Sequence, residues 1–542
     1  VVRTEAVPDG QSITADTGRK LDFALSIAIV ALIIVIVWQS STTPAPGVLE
    51  QGAAESSAPI ATGSASPREA SLAVLPFADM SAEGDQEYFS DGLSEEILNL
   101  LVRADAIDVV SRTSSFQFKN STLGIPEIAA ELNVRHIVEG SVRKAGDEIR
   151  VTAQLIDAVS DRHLWSNTYD RPLTTESLFA IQDDVANSIF EALSDELGLL
   201  GEIELRAKRT TSDLDAYALF LRARTLYQAR RDLDVVDEML AQAVAMDADF
   251  SEAWAYKAAN QFLMYAYAYT DLPVEELHRR GLEEAEKALS LDPNSATAIA
   301  AIAQIYRNQR TGRGSYTEHD WSDIFALFDK ALAIDPRNGN ALNWRGLSYA
   351  WLGRIDLALE DFRQCNAYEP YYTPCVENLH WFLASQGRDE ESLDVLVRTM
   401  DAGLSKVLYM HLGLLARMGN EIAFKSATNN VRALRDWRRH DELYEAFRNL
   451  DADHSELAAS IVEFYEANPD RADDFMQPTL IALGHYVHPS NAIGLWSTDN
   501  KRLRRSPFFK DLMRKIGAID YWKKTSLPSG CRWTGDDDFE CS

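Results

Sequence analysis

Catalytic signatures are the first thing missing. No GxxxxGK phosphate loop, HExxH pair, GxSxG elbow or CxxC pair occurs in the 542 residues. Those absences argue against phosphate-loop nucleotide hydrolysis, zincin proteolysis, α/β-hydrolase acyl transfer and thioredoxin-like exchange. Only ten histidines are present. The nearest two, His485 and His488, have no third ligand beside them, so no metal site is expected. Adjacent carboxylates at Glu95/Glu96 and Asp183/Asp184 point about 100° apart on a helix, which suits helix-face charges rather than an acid–base pair. Asp536–Asp538 lacks the spaced ligands and glycine of a calcium loop. Basic side chains are scarce as well: 53 Lys and Arg stand against 83 Asp and Glu, a net charge of −30. That field opposes binding to nucleic acid or to an anionic membrane surface. The residues point to no enzyme and no cofactor.

Cysteine is limited to four residues, spaced as two pairs, Cys365/Cys375 and Cys531/Cys541. Four cysteines allow three connectivities, and local pairing within each pair is the most economical in an oxidising compartment. Neither spacing suits zinc.

Lysine and arginine are absent from 21 to 67, and within that gap lies Phe23–Trp38, FALSIAIVALIIVIVW. With Leu21 and Asp22 it makes a helix of about 27 Å, close to the hydrocarbon thickness of a bilayer. Arg19 and Lys20 precede it, so the positive-inside rule leaves residues 1–20 as a cytoplasmic tail and exports the chain beyond the helix. The segment reads as a retained anchor over 21–39; the alternative, a cleaved leader, has a shorter apolar core and exports the chain equally. Residues 40–70, rich in Ser, Ala, Pro and Gly, read as a tether with too few large apolar residues to offset the entropy of ordering.

Alternation and helical periodicity then set out a compact α/β unit over 71–198. Leu72–Phe77 and Ile107–Ser111 read as strands, Ile125–Leu132 as a short helix. Val134–Val142 and Ile149–Ile156 flank a hairpin turn at Ala145-Gly146-Asp147, and His163–Tyr169 is a further strand. Asp91–Val102 reads as a helix whose early carboxylates face its amino terminus. Leu178–Leu197 closes the unit. The pattern LAVLPFADMS, EYFSDGLSEEIL, VVSRTSSFQFKN, AAELNVRHIVEGSVRKAGDEIRVTAQLIDA and HLWSNTYDRPL resembles the TolB-like amino-terminal domain. The resemblance implies a non-catalytic module that in bacteria commonly precedes tetratricopeptide repeats, in proteins labelled adenylate cyclases or CadC-like winged-helix regulators. Here no stretch remains for a cyclase or winged-helix domain.

From 199 to 404 a 34-residue period takes over. It is cleanest between Pro336 and Pro370; Pro293 to Pro336 is that period lengthened by nine. This is the tetratricopeptide spacing. In the cleanest copy Gly346 and Ala358 let two helices approach, Tyr349 and Phe362 fill the space between neighbours, Gly353 occupies the turn, and the proline ends the second helix. Degenerate helical repeats and a carboxyl-terminal cap are expected over 405–542. The overall class is mixed: one membrane helix, a small α/β domain and an all-α superhelix.

Two stretches stand out as partner surfaces. Trp254, Tyr265 and Tyr267 belong to a dense aromatic run, and Arg307, Arg310 and Arg313 belong to a coil read over 307–322 between the helices of one repeat. The expected function is a scaffold, anchored in the bacterial inner membrane with its bulk periplasmic, that grips an envelope protein. The alternative is the input module of a signalling or transcription-regulating system.

Overall fold

The computed structural model describes residues 68–84, 86–102, 104, 106–110, 112–198, 205, 210–312, 317–368, 372–401, 412–430, 437–468, 476–486 and 494–542. The expected membrane segment at 21–39, most of the tether, Arg313 and Pro370 lie outside them. Among the described residues no helix is long and apolar enough to cross a membrane. The molecule is mostly helical with one main sheet, and it divides into two compact units, one of 65–379 with 505–542, the other containing 380–504.

In the first unit the sheet runs β3-β1-β4-β5-β6, with β2 pairing to β4. Its strands are β1 (Arg68–Val74), β2 (Ala78–Asp79), β3 (Asp108–Val109), β4 (Val134–Ala145), β5 (Glu148–Asp157) and β6 (Arg162–Pro172). β1 is parallel to β3 and β4, whereas β4, β5 and β6 form an antiparallel meander. Leu72, Ala73 and Val74 are fully buried, as a strand covered on both faces requires. Along β5, Ile149, Val151, Ala153 and Leu155 are buried, whereas Arg150 is exposed. Two long helices, α1 (Glu87–Leu101) and α4 (Thr175–Leu197), pack on each other and on the sheet. After α2 (Arg112–Ser115), α3 (Ile125–Leu132) covers Ala73, Leu75 and Ile137.

Two boundaries differ from the sequence reading. β1 begins at Arg68, inside the stretch read as tether. Helix α1 starts at Glu87, one turn before Asp91. Asp91, Glu95 and Glu96 therefore lie beyond the first turn, and their carboxylates serve arginines and a lysine instead of the helix amino terminus.

Antiparallel helical pairs come next: α5 (Leu214–Gln228) with α6 (Leu233–Met246), α7 (Ser251–Ala266) with α8 (Val274–Leu291), α9 (Ala296–Arg310) with α10 (Trp321–Ile334), and α11 (Gly339–Trp351) with α12 (Ile355–Tyr368). The first helix of each pair also touches that of the next. The side chains of Asp213, Ser295 and Asn338 cap α5, α9 and α11 by accepting the backbone N–H three residues on. Each such cap stabilises its helix by about 1 kcal/mol. Asp292 and Asp335 leave the helical conformation just before Pro293 and Pro336, which cannot continue the helix. A Cβ on Gly346 would lie 2.7 Å from the Phe362 ring, so only glycine admits this approach. Ala358 and Phe362 are fully buried, Tyr349 stacks on Phe325 with ring centroids 4.4 Å apart, and Gly353 turns between α11 and α12 at φ +71°.

Helix α13 (Thr373–Ser385) carries the chain into the second unit. That unit contains α14 (Asp389–Asp401), α15 (Leu412–Arg417), α16 (Glu421–Asn430), α17 (His440–Arg448), α18 (Ser455–Ala467), α19 (Met476–Ala482) and α20 (Lys501–Arg504). Its core gathers Phe424, Trp437, Leu443 and Ile461.

The carboxyl-terminal segment belongs to the first unit. It comprises α21 (Pro507–Lys515), α22 (Ala518–Lys524) and the hairpin β7 (Cys531–Trp533) with β8 (Phe539–Cys541). The Trp522 indole N–H donates to the Leu352 carbonyl at 3.0 Å. Trp321 Nε1 and Arg310 Nε both donate to the Ile516 carbonyl, at 2.7 and 3.1 Å. The structure joins Cys531 to Cys541 across the hairpin and Cys365 to Cys375 between α12 and α13.

Candidate binding cleft between the sheet and the helical pairs

The seam between α1 and α5 sets the geometry of a large polar recess. A Cβ on Gly92 would lie 2.5 Å from Leu221 Cδ1, so the absent side chain lets the two helices touch. One turn further, Arg224 is 3% exposed and reaches Glu96 at 2.6 Å and Glu95 at 3.2 Å. Arg112 approaches Glu95 from the other side at 2.8 Å, and Gln228 donates to the same carboxylate at 3.1 Å. Burial pushes the Glu95 carboxyl up, but Arg224 and Arg112 outweigh it and hold it below its usual range. A pair this deeply buried adds little net stability, yet losing one partner leaves a buried charge without compensation. The seam is a locked joint.

Above this joint lies a cavity of about 860 Å³. Charged and polar side chains line it, among them Glu95, Glu96, Asn99, Arg112 and Arg224, together with the tyrosines Tyr227, Tyr256, Tyr368 and Tyr372. Residues at the starts of α7, α9 and α11, among them Ser251, Asn294 and Asn340, also line it. Arg337 lies over the Tyr368 ring at 5.2 Å.

One end is tied by Arg230. This residue sits after α5 at φ +52°, a conformation that a β-carbon disfavours. Its guanidinium donates to the Tyr227 carbonyl at 2.7 Å, to Asn340 Oδ1 at 2.8 Å and to the Tyr372 hydroxyl. The turn of the first helical pair is thereby bonded to the starts of α11 and α13.

The residues singled out from the sequence lie elsewhere. Trp254 donates its indole N–H to the Ala248 carbonyl at 3.0 Å, while Tyr265 and Tyr267 are 40% and 42% exposed. Of that aromatic run only Tyr256 lines the cavity, with its ring 5.1 Å from that of Tyr227. Arg307 and Arg310 are helical rather than coil: Arg307 is buried, and Arg310 is spent on the carboxyl-terminal segment. Arg224 and Arg230 were missed because the partners they reach across the fold stand 110 to 142 residues away in the chain. No local spacing reports such pairs. The carboxylates Glu95 and Glu96, read as helix-face charges, are ion-paired with Arg224 and Arg112.

The cavity combines polar donors and acceptors with aromatic side chains in its lining. Among the described residues no cluster of three His, Cys, Asp or Glu side chains is arranged to hold a metal ion. Such a recess is suited to holding a polar ligand or a polypeptide segment.

No protein-family model matches the chain. It is 34% identical over 296 residues to a protein of Rhizobium meliloti (strain 1021) named "Putative adenylate cyclase 3". It is a partial relative of that protein. The match takes in 54% of this chain and 42% of the relative, so the chain spans about two-fifths of the curated protein's length. The adenylate-cyclase label thus accompanies at least one protein of related sequence.

Proposed function

We propose that the chain is a non-catalytic, membrane-anchored scaffold in which a TolB-like domain (71–198) and tetratricopeptide repeats (199–404) jointly hold a segment of an envelope protein. The observation that carries this reading is the cavity at the Glu95–Arg224 joint, whose walls come from both parts. The 34-residue period and the antiparallel helical pairs support the repeat assignment. A preformed cleft lowers the ordering cost of binding. The Phe23–Trp38 helix would anchor the chain in the inner membrane and leave the cleft on the periplasmic side.

A photo-crosslinking amino acid placed at Arg337 in intact cells is expected to trap a protein partner, and one at Tyr265 to trap far less. Equal yields at the two positions, or none at Arg337, would sink the proposal.

A second reading treats the same cavity as the small-molecule input of a signalling protein. It is favoured by the relative's name. Heat-stabilisation of the purified chain by a low-molecular-weight envelope extract, lost in Tyr256→Ala, would select it over the scaffold.

A further inference from the structure

We propose that β6 is a pairing edge through which two copies of this chain join their sheets. The sheet has one short and one long border. β3, at one end, has two residues; β6, at the other, has eleven, of which Tyr169 alone is buried. Among the described residues β6 pairs only with β5, and from Trp165 to Pro172 that pairing runs without a bulge.

Two observations fix which backbone groups face outward. A Cβ on Gly140 would lie 2.5 Å from the Thr152 carbonyl oxygen, so that oxygen points toward β4 and away from Thr168, its partner on β6. The Thr168 N–H donates instead to its neighbour Asn167 Oδ1 at 2.9 Å, and the Asp170 carbonyl accepts from the Arg171 side chain at 3.2 Å. Ser166, Thr168 and Asp170 therefore turn their main-chain groups to the open side. Side chains of the same strand cover them in place of another strand.

The pattern is self-complementary. An antiparallel copy with its two-fold axis at Thr168 sets Thr168 against itself and Ser166 against Asp170, which joins the outward groups by about six main-chain hydrogen bonds. Facing residues then share a side of the sheet. On the polar side the Thr152–Thr168 hydroxyl contact of 3.2 Å continues into the second copy, and each Ser166 meets an Asp170. On the other side each Arg171 guanidinium meets a Trp165 ring, a favourable cation–π pair. A pairing displaced by one residue would put the polar side against the other and lose both. A second copy is thus the occupant this edge fits. Asn167 and Arg171 compete with it, so association is weak in dilute solution and favoured where copies are concentrated.

Full-length protein in detergent carrying Thr168→Cys should form an intermolecular disulfide under mild oxidation, as should Ser166→Cys combined with Asp170→Cys. Ser166→Cys alone should not. In sedimentation equilibrium, Asn167→Ala should tighten self-association about fivefold by freeing the Thr168 N–H from its competing bond, whereas Arg171→Ala, which also removes the Trp165 contact, should not tighten it. Thr168→Pro, which deletes the central donor on an edge strand that tolerates proline, should leave a folded monomer. The proposal is overturned if Thr168→Cys crosslinks no faster than an exposed control such as Gly124→Cys. It is equally overturned if Thr168→Pro associates like the parent, or if Thr168→Cys is trapped on a different protein while purified copies stay monomeric.

Discussion

The helical pairs of the larger unit are gripped at two places by different physics. At the α1–α5 joint, charges do the holding: Arg224 and Glu95 are almost fully buried, and Arg112 and Glu96 join them from its partly exposed side. At the carboxyl-terminal segment, aromatic side chains do it. The Tyr521 ring lies 5.5 Å from that of Phe325, the Trp522 and Trp321 indoles bond to carbonyls across the boundary, and an internal ring cluster stiffens the segment. Phe539 is fully buried between Phe509 and Trp522, with ring centroids at 6.2 and 5.1 Å, and the ion pairs around it are exposed. A charged joint tolerates little change in partner but specifies orientation; a ring-filled plug tolerates salt and acid but depends on volume. The two contacts should therefore fail under different insults.

Arg224→Met is expected to give the largest loss, about 3–5 kcal/mol in urea unfolding, because it strands buried carboxylates. A loss under about 1 kcal/mol would show that water already reaches the joint. Phe539→Ala should cost about 3 kcal/mol through the cavity it leaves, with the loss unchanged in high salt. Reduction of Cys531–Cys541, or the double change Cys531→Ser and Cys541→Ser, should destabilise the carboxyl-terminal segment by about 2 kcal/mol and raise hydrogen exchange at α22 while sparing α5. Acid gives a smaller and separate effect in the other unit. Burial there pushes His380 down to about 4, with Nδ1 donating to the Ser392 carbonyl at 2.8 Å. An imidazole whose folded value lies below its unfolded one lends stability above the unfolded pKa, and this is lost as pH falls toward the folded value. Stability should fall progressively between about pH 6.5 and 4, and His380→Phe should flatten that slope. High salt should have the least effect of all, leaving thermal melts of Lys523→Ala and the parent alike, since the Lys523–Asp537 pair is exposed.

Much of the fold was legible locally. The Ala145–Asp147 turn, the helix at Ile125–Leu132 and the strand alternation of Ile149–Leu155 are matters of neighbours two to four residues apart. Gly346 and Phe362 were visible because the repeat fixes their distance along the chain. What stayed hidden was set across the fold. Nothing near Glu95 announces Arg224, and nothing near Arg310 announces the Ile516 carbonyl. Arg310 looked free because its charge was conspicuous in an acidic chain, when its bond was merely distant.

Stacked helical pairs ordinarily behave as springs, since each touches only the next and the whole can unwind a little at every step. The Arg230 bond to Asn340 and Tyr372 skips a turn of that spring and ties its ends together. A pull applied along the stack would then be borne by three side chains before any helix pair parted. The cleft beside them would keep its width until that knot gave way.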